Sequence, residues 1–347
     1  MEVTSIFLNR ILLLGAKRQA SGLFLSVGSL PSVRLDGRIK SLPDEDIVSS
    51  ELIESVIRAL LDEAQLEELK QNRSVCLTRD LAGDLRFKVT IFYQKNLPSV
   101  AFKYISNVIP DIDRIDIPQE FKNLVGLGSG LIVVAGAYGS GRTATIVSFL
   151  SKINKEQHKK IITLENPIEY ILISQKSIIE QREVKQDVVS FSVGIDDCLR
   201  LDSDLLYVSD LGKDMNLSIP SIFELASGNT LVILEMNASS SIQAVEYLLS
   251  ALETVHNKEA ARYFLADILK SVLVQRLIPK KGGGMATAVE FFSVNPAARS
   301  LLRDGNFFQI DNIIQTSRKD GMVSMQKSLE DLQETGEIKQ DFEQSNT

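Results

Sequence analysis

The sequence has no tryptophan, only two cysteines and only two histidines in 347 residues. Cys76 and Cys198 stand far apart and form no CxxC pair. That excludes a disulfide framework and a cysteine-based zinc site, and it fits a reducing compartment. His158 and His256 are too few for metal catalysis by a histidine cluster. No apolar run approaches the ~20 residues that a membrane helix needs. The net charge is −7, so no overall basic field points to nucleic acid. The pairs Lys159-Lys160 and Lys280-Lys281 read as solvated surface. The opening "MEVTSIFLNRILLLGA" carries Glu2 and Arg10 in and beside its apolar run, which suits an amphipathic helix better than a signal peptide. A cytoplasmic protein is expected, without direct membrane insertion and peripheral to a membrane only through a partner.

What is present is an ordinary globular composition, 44% hydrophobic and 24% charged, with length for two domains. Residues 1–105 mix helix and strand patterns. Ile6 to Ala16 reads as a helix, and Leu23 to Val27 and Ser32 to Leu35 as strands with a turn at Asp36-Gly37. Ser49 to Gln71 reads as one or two amphipathic helices, and Leu85 to Phe92 and Val100 to Ile105 as strands. Pro110 and Pro118 interrupt "NVIPDIDRIDIPQEF", which places a connector over residues 106–122. From 123 to 338 strands alternate with helices: strands at Leu131–Ala135, Lys160–Leu164, Leu205–Ser209 and Thr230–Leu234, helices from Arg142, over Ser240–Leu252 and over Lys258–Gln275. That order predicts an α/β layer with a mostly parallel sheet. Residues 339–347 are polar and read as a frayed tail.

The stretch "LIVVAGAYGSGRTAT" carries the most chemical content. "GAYGSGRT", Gly136 to Thr143, meets the phosphate-loop pattern GxxxxGK[ST] everywhere except at the lysine, where Arg142 stands. The glycines let consecutive backbone N–H groups face phosphate oxygens, and the following helix adds its positive end. Thr143 stands where a hydroxyl would hold Mg²⁺. The other reading of these residues alone is a glycine-rich strand-to-helix turn with no ligand. Lysine is a compact point charge and arginine a wide planar fork, so the exchange is not conservative.

Six collinear segments resemble the PilT/PilB/GspE family of type IV pilus and type II secretion ATPases. They are "ASGLFLSVGSLPSVRLDG" (20–37), "IITLENPIEY" (161–170), "IEQREV" (179–184), "CLRLDSDLLYVSD" (198–210), "NPAARSLLRDG" (295–305) and "IIQTSRKDGMVSMQKSL" (313–329). Without the tetracysteine motif of the extension ATPases, the chain resembles PilT more than PilB. The resemblance implies an N-terminal PAS-like α+β domain and a RecA-like P-loop NTPase domain. It also implies ATP and Mg²⁺ as cofactors and a hexameric ring, alone or mixed with a PilT- or PilB-like paralogue, at an inner-membrane pilus platform protein. Carried over residue by residue, the nucleotide set is Gly136, Gly139, Ser140, Gly141, Arg142, Thr143 and Thr145, joined by Arg182 and Arg200. Glu165 and Asp210 take the catalytic acid positions, and Thr143 the metal position.

The departures from the family pattern fall on chemistry. Besides Arg142, the Walker B glutamate is Asp210, preceded by Ser209 in place of glycine. Aspartate withdraws the carboxylate by about 1.5 Å, one C–C bond. The Arg-Asp pair that follows is Gly212-Lys213, the His box GTLHT reads "LEMNA" with Asn237 for histidine, and two N-terminal arginines align with Asn96 and Lys103. Three functions follow: a nucleotide-binding but catalytically impaired assembly or regulatory protein, a divergent active retraction ATPase, or a protein of this fold with another ligand in the pocket. For the last, Tyr138 could stack on a base or be a solvent-exposed loop tip.

Overall fold

The computed structural model describes residues 2–339, with side chains from residue 6 onward. The tail expected at 339–347 therefore lies outside the described residues from 340 on. The chain divides into two compact units. One runs to Val108 and includes Pro167–Tyr170; the other comprises Ile109–Asn166 and the chain from Ile171.

The N-terminal unit contains α1 (Glu2–Lys17), β1 (Gly22–Ser26), β2 (Ser32–Leu35), β3 (Arg38–Ser41), α2 (Ser50–Leu60), α3 (Glu63–Asn72), β4 (Ser74–Leu81), β5 (Leu85–Gln94) and β6 (Leu97–Ile105). Its six-stranded sheet has the order β3-β2-β1-β6-β5-β4 and is antiparallel throughout. The Asp36-Gly37 turn has positive φ at both residues, 48° and 78°, the conformation that joins tightly paired strands. The alternation in "LRFKVTIF" buries Phe87, Val89 and Ile91, which share a core with Ile11 and Leu12 of α1 and Ile53 and Val56 of α2. The 49–71 stretch is two helices, because Asp62 stops the first and caps the second in a reciprocal pair with Gln65.

Glu169 belongs to this unit. Its side chain is 9% exposed and ion-pairs with Lys88 at 3.0 Å and Lys103 at 3.2 Å. Burial pushes the carboxyl up, but the two ammonium groups outweigh it and hold it below its usual range. A depressed acid contributes stability that is present above its unfolded value of about 4.3 and is lost as pH falls through the lower folded value. Glu169→Gln is expected to destabilise the protein by about 1–3 kcal/mol at neutral pH. That gap should be smaller at an acid pH than at neutral pH, because falling pH protonates the wild-type acid too. Urea unfolding of both proteins at the two pH values checks this; an equal gap at both would mean that the charge contributes nothing.

The second unit contains α4 (Gln119–Asn123), β7 (Gly130–Gly136), α5 (Arg142–Glu156), β8 (Lys160–Glu165), β9 (Ile178–Glu183), α6 (Phe191–Cys198), β10 (Leu205–Val208), α7 (Met215–Ser227), β11 (Leu231–Met236), α8 (Ser241–Leu252), α9 (Lys258–Ile268), β12 (Leu269–Pro279), β13 (Met285–Ser293), α10 (Pro296–Asp304), α11 (Ile310–Thr316) and α12 (Met325–Glu334). The sheet order is β13-β12-β7-β11-β10-β8-β9, parallel except for the β12–β13 pair. Every residue of β7, β10 and β11 is buried, as expected for parallel strands covered on both faces. Of the connector read at 106–122, residues 106–108 fall in the first unit, and residues 109–122 hold a short 3₁₀ turn and the start of α4 and bury Ile112 and Phe121.

One expectation needs correction. The helix read over Lys258–Gln275 ends at Ile268, and Leu269 begins β12. Apolar spacing alone does not separate a buried helix from a buried strand. The run "LKSVLVQRLIP" is decided by its position between β7 and β13, where backbone pairing on both sides stabilises extended chain.

Candidate nucleotide-binding site

β7, β11, β10 and β8 are consecutive parallel neighbours, so their C-terminal ends share one edge of the sheet. In open α/β sheets ligands bind outside this edge. The glycine-rich loop leaves the end of β7 and enters α5 there. Gly136 and Gly141 have φ of 145° and 90°. A Cβ on Gly136 would overlap the Gln275 carbonyl and Ser140 Oγ, so only glycine fits that approach. Ser140 Oγ is buried without a hydrogen-bond partner inside the loop. A buried orphan hydroxyl at a helix N-terminus suits an anion. The residues present therefore fit a phosphate group.

The basic residue of the loop faces elsewhere. Arg142, 5% exposed, donates from Nη1 to the Met236 carbonyl at 2.5 Å. The same nitrogen stands 3.5 Å from Asp210 Oδ2, and Nε stands 3.2 Å from Glu235 Oε1. Thr143 Oγ1 donates to the Glu235 carboxylate at 3.3 and 3.4 Å, and the Tyr207 hydroxyl donates to it at 2.7 Å. Glu235 thus gathers Arg142, Thr143 and Tyr207 in the interior. The exposed ring of Tyr138 lies over Arg142, 5.4 Å from guanidinium carbon to ring centroid.

Both acids are occupied. Asp210 follows β10; its Oδ1 accepts the Gly212 N–H at 3.1 Å while Oδ2 faces Arg142. Glu165 ends β8 and is 1% exposed; its Oε1 accepts from Thr163 at 2.6 Å and Gln181 at 3.0 Å. Thr145, on the first turn of α5, accepts from Gln275 at 2.9 Å. Among the described residues no group of three His, Cys, Asp or Glu side chains could hold a metal ion. Thr143, the residue at the metal position, is engaged with Glu235, and Asp210 faces Arg142. In this arrangement the residues do not fit a divalent cation.

Gly136, Gly139, Ser140, Gly141, Arg142, Thr143 and Thr145 lie on the loop and the first turn of α5, and Arg142 brings Asp210 to them. Arg182 and Arg200 are elsewhere. They line an open depression with Glu180, Asp197 and Leu201 beside β9, four strands from β7, where Arg182 pairs with Asp197 at 3.0 Å. Asn237 is exposed just beyond β11. Sequence reasoning missed Glu235 and Tyr207. A lone acid in the apolar run "LVILEM" was a usable signal, because a buried carboxylate is paired almost without exception. A tyrosine within "LLYV" was another, because a buried phenol seeks a partner.

A parallel sheet with a glycine-rich loop between a central strand and a helix, and acids at the neighbouring strand ends, defines a RecA-like P-loop NTPase domain. A family model of type II/IV secretion system proteins matches residues 115–282. The type IV pilus retractation ATPase PilT of Pseudomonas aeruginosa is 28% identical over 333 residues, 95% of each chain. A twitching motility protein of Neisseria gonorrhoeae is 27% identical, over 89% of this chain and 82% of that one. A crystal structure of the pilus retraction motor PilT with bound ADP superposes with a TM-score of 0.82 at 29% identity, covering 98% of this chain and 97% of that one. Residues 115–282 thus resemble the type II/IV secretion system proteins, and nearly the whole chain is similar to PilT. Among the described residues no helix is long and apolar enough to cross a membrane.

Proposed function

We propose that this PilT-like chain binds a nucleotide, turns it over poorly, and acts in the assembly or regulation of pilus retraction machinery. The observation that carries this reading is the inward turn of Arg142 onto Asp210, Glu235 and the Met236 carbonyl. Phosphoryl transfer depends on positioned charge: a basic group at the phosphates and an acid free to orient the attacking water. Here the basic group is held by the acids, and Asp210 has one oxygen on Arg142 and the other on a backbone N–H. The buried orphan Ser140 hydroxyl and the glycine frame still suit phosphate, and the PilT relative was solved with ADP. The nucleotide is ATP or its diphosphate product, with Gly136, Gly139, Ser140, Gly141 and Thr145 around the phosphates.

The relatives' similarity along nearly the whole chain supports a ring-forming motor architecture. The protein would form a hexamer, alone or mixed with a catalytically intact PilT- or PilB-like paralogue, on the cytoplasmic side of an inner-membrane platform protein. Steady-state phosphate release with Mg-ATP tests the catalytic half. Wild type and Asp210→Asn are expected to give matching rates near background, while equilibrium dialysis with labelled ADP detects binding. A wild-type rate well above the mutant's would make the protein a divergent, active retraction ATPase instead.

A further inference from the structure

In P-loop proteins a divalent cation sits between the hydroxyl after the loop's basic residue and an acid at the end of a neighbouring strand. Thr143 and Asp210 are those groups here, and the position they would serve already holds a positive charge. The Arg142 guanidinium is surrounded by three oxygen acceptors: Asp210 Oδ2 at 3.5 Å, Glu235 Oε1 at 3.2 Å and the Met236 carbonyl at 2.5 Å. Thr143 Oγ1 is drawn to the same Glu235 carboxylate. The guanidinium's planar fork can serve several acceptors at once. A metal ion brought to Asp210 or Glu235 would meet this fixed charge in a poorly screened interior, where like charges repel strongly.

The phosphate side of the site does not need a metal. Its contributions are the helix N-terminus, the glycine frame and the Ser140 hydroxyl, which is buried and unpartnered. We propose that Arg142 is the resident cation of this loop in place of a divalent metal, so that the site takes a nucleoside diphosphate without magnesium. This rests on the nucleotide-binding reading above, and the two are tested separately.

Mn²⁺ binding to the full chain, read by electron paramagnetic resonance without nucleotide, tests the resident cation. Wild type is expected to bind no Mn²⁺ at this site. Arg142→Ala is expected to gain about one Mn²⁺ per chain, lost again in Arg142→Ala/Asp210→Asn. If the alanine variant does not fold, Arg142→Lys serves, since a lysine drawn to the loop also vacates the acids. Stoichiometric Mn²⁺ on wild type, or no gain in either variant, overturns the proposal. Titration with fluorescent methylanthraniloyl-ADP tests the metal independence. Wild-type affinity should agree within about twofold between EDTA and excess magnesium, while the folded variant should bind about tenfold more tightly with magnesium. A tenfold magnesium effect on wild type, on the order of 1.4 kcal/mol, also overturns it. No ADP binding in either buffer removes the nucleotide reading and the diphosphate half of this proposal. The Mn²⁺ result then decides the resident cation alone.

Discussion

Arg142→Lys combined with Asp210→Glu is expected to raise Mg-ATP hydrolysis about a hundredfold or more over wild type. A well-aimed donor to transferring phosphate is worth roughly 3–4 kcal/mol, or two to three powers of ten in rate. A lysine at 142 is a flexible point charge without the fork that now satisfies Asp210, Glu235 and the Met236 carbonyl together. It has less to hold it inward and can reach the phosphates. Glutamate at 210 returns the carboxylate by about one C–C bond, and a misplacement of about 1 Å in a catalytic group can cost on the order of a hundredfold. The two effects are not additive, because base and clamp act as a unit, so each single variant should recover much less than the pair. Phosphate release from the four proteins, prepared identically, gives the answer. A double variant no faster than wild type would show that these two positions are not what limits turnover.

The second large effect is on stability. Glu235 accepts from Arg142, Thr143 and Tyr207, with its side chain 7% exposed beside an arginine 5% exposed. Glu235→Ala leaves a buried guanidinium short of an acceptor and a buried phenol without its acid. Breaking a buried pair from one side typically costs 3–5 kcal/mol, so about that loss is expected. For a unit the size of the second one, within the range of about 150–250 residues, it corresponds to a fall in Tm of roughly 6–20 °C. Arg142→Met with Glu235→Leu removes both charges, and such replacements are often close to neutral. The double variant should therefore be more stable than Glu235→Ala alone. Calorimetry of the three proteins decides it; a Glu235→Ala protein within about 1 kcal/mol of wild type would mean that water already reaches the pair.

Much of the fold was legible because it rests on local chemistry. Short apolar runs between helical patterns marked β7, β8, β10 and β11, and Asp36-Gly37 marked the turn between β2 and β3. Two strands were missed because their apolar content is diluted. β9, "IIEQRE", is an edge strand without a buried residue. β4, "SVCLTRDL", buries only Val75 and Leu77. β12 carries enough apolar residues for a helix and is extended only because β7 and β13 flank it.

The candidate site divides along the same line. The glycine spacing, the absent lysine and the shortened Walker B acid are covalent facts, and they alone determined that this chain keeps a phosphate loop and has altered the chemistry around it. Only the tertiary structure decided where Arg142 points, that Glu235 and Tyr207 join it, and that Arg182 and Arg200 gather four strands away from the loop. Spacing along the chain sets which backbone groups can line a loop, because that is local geometry. The direction of a long charged side chain is set by the acceptors other strands bring to it, and those become neighbours only when β7, β11 and β10 pair.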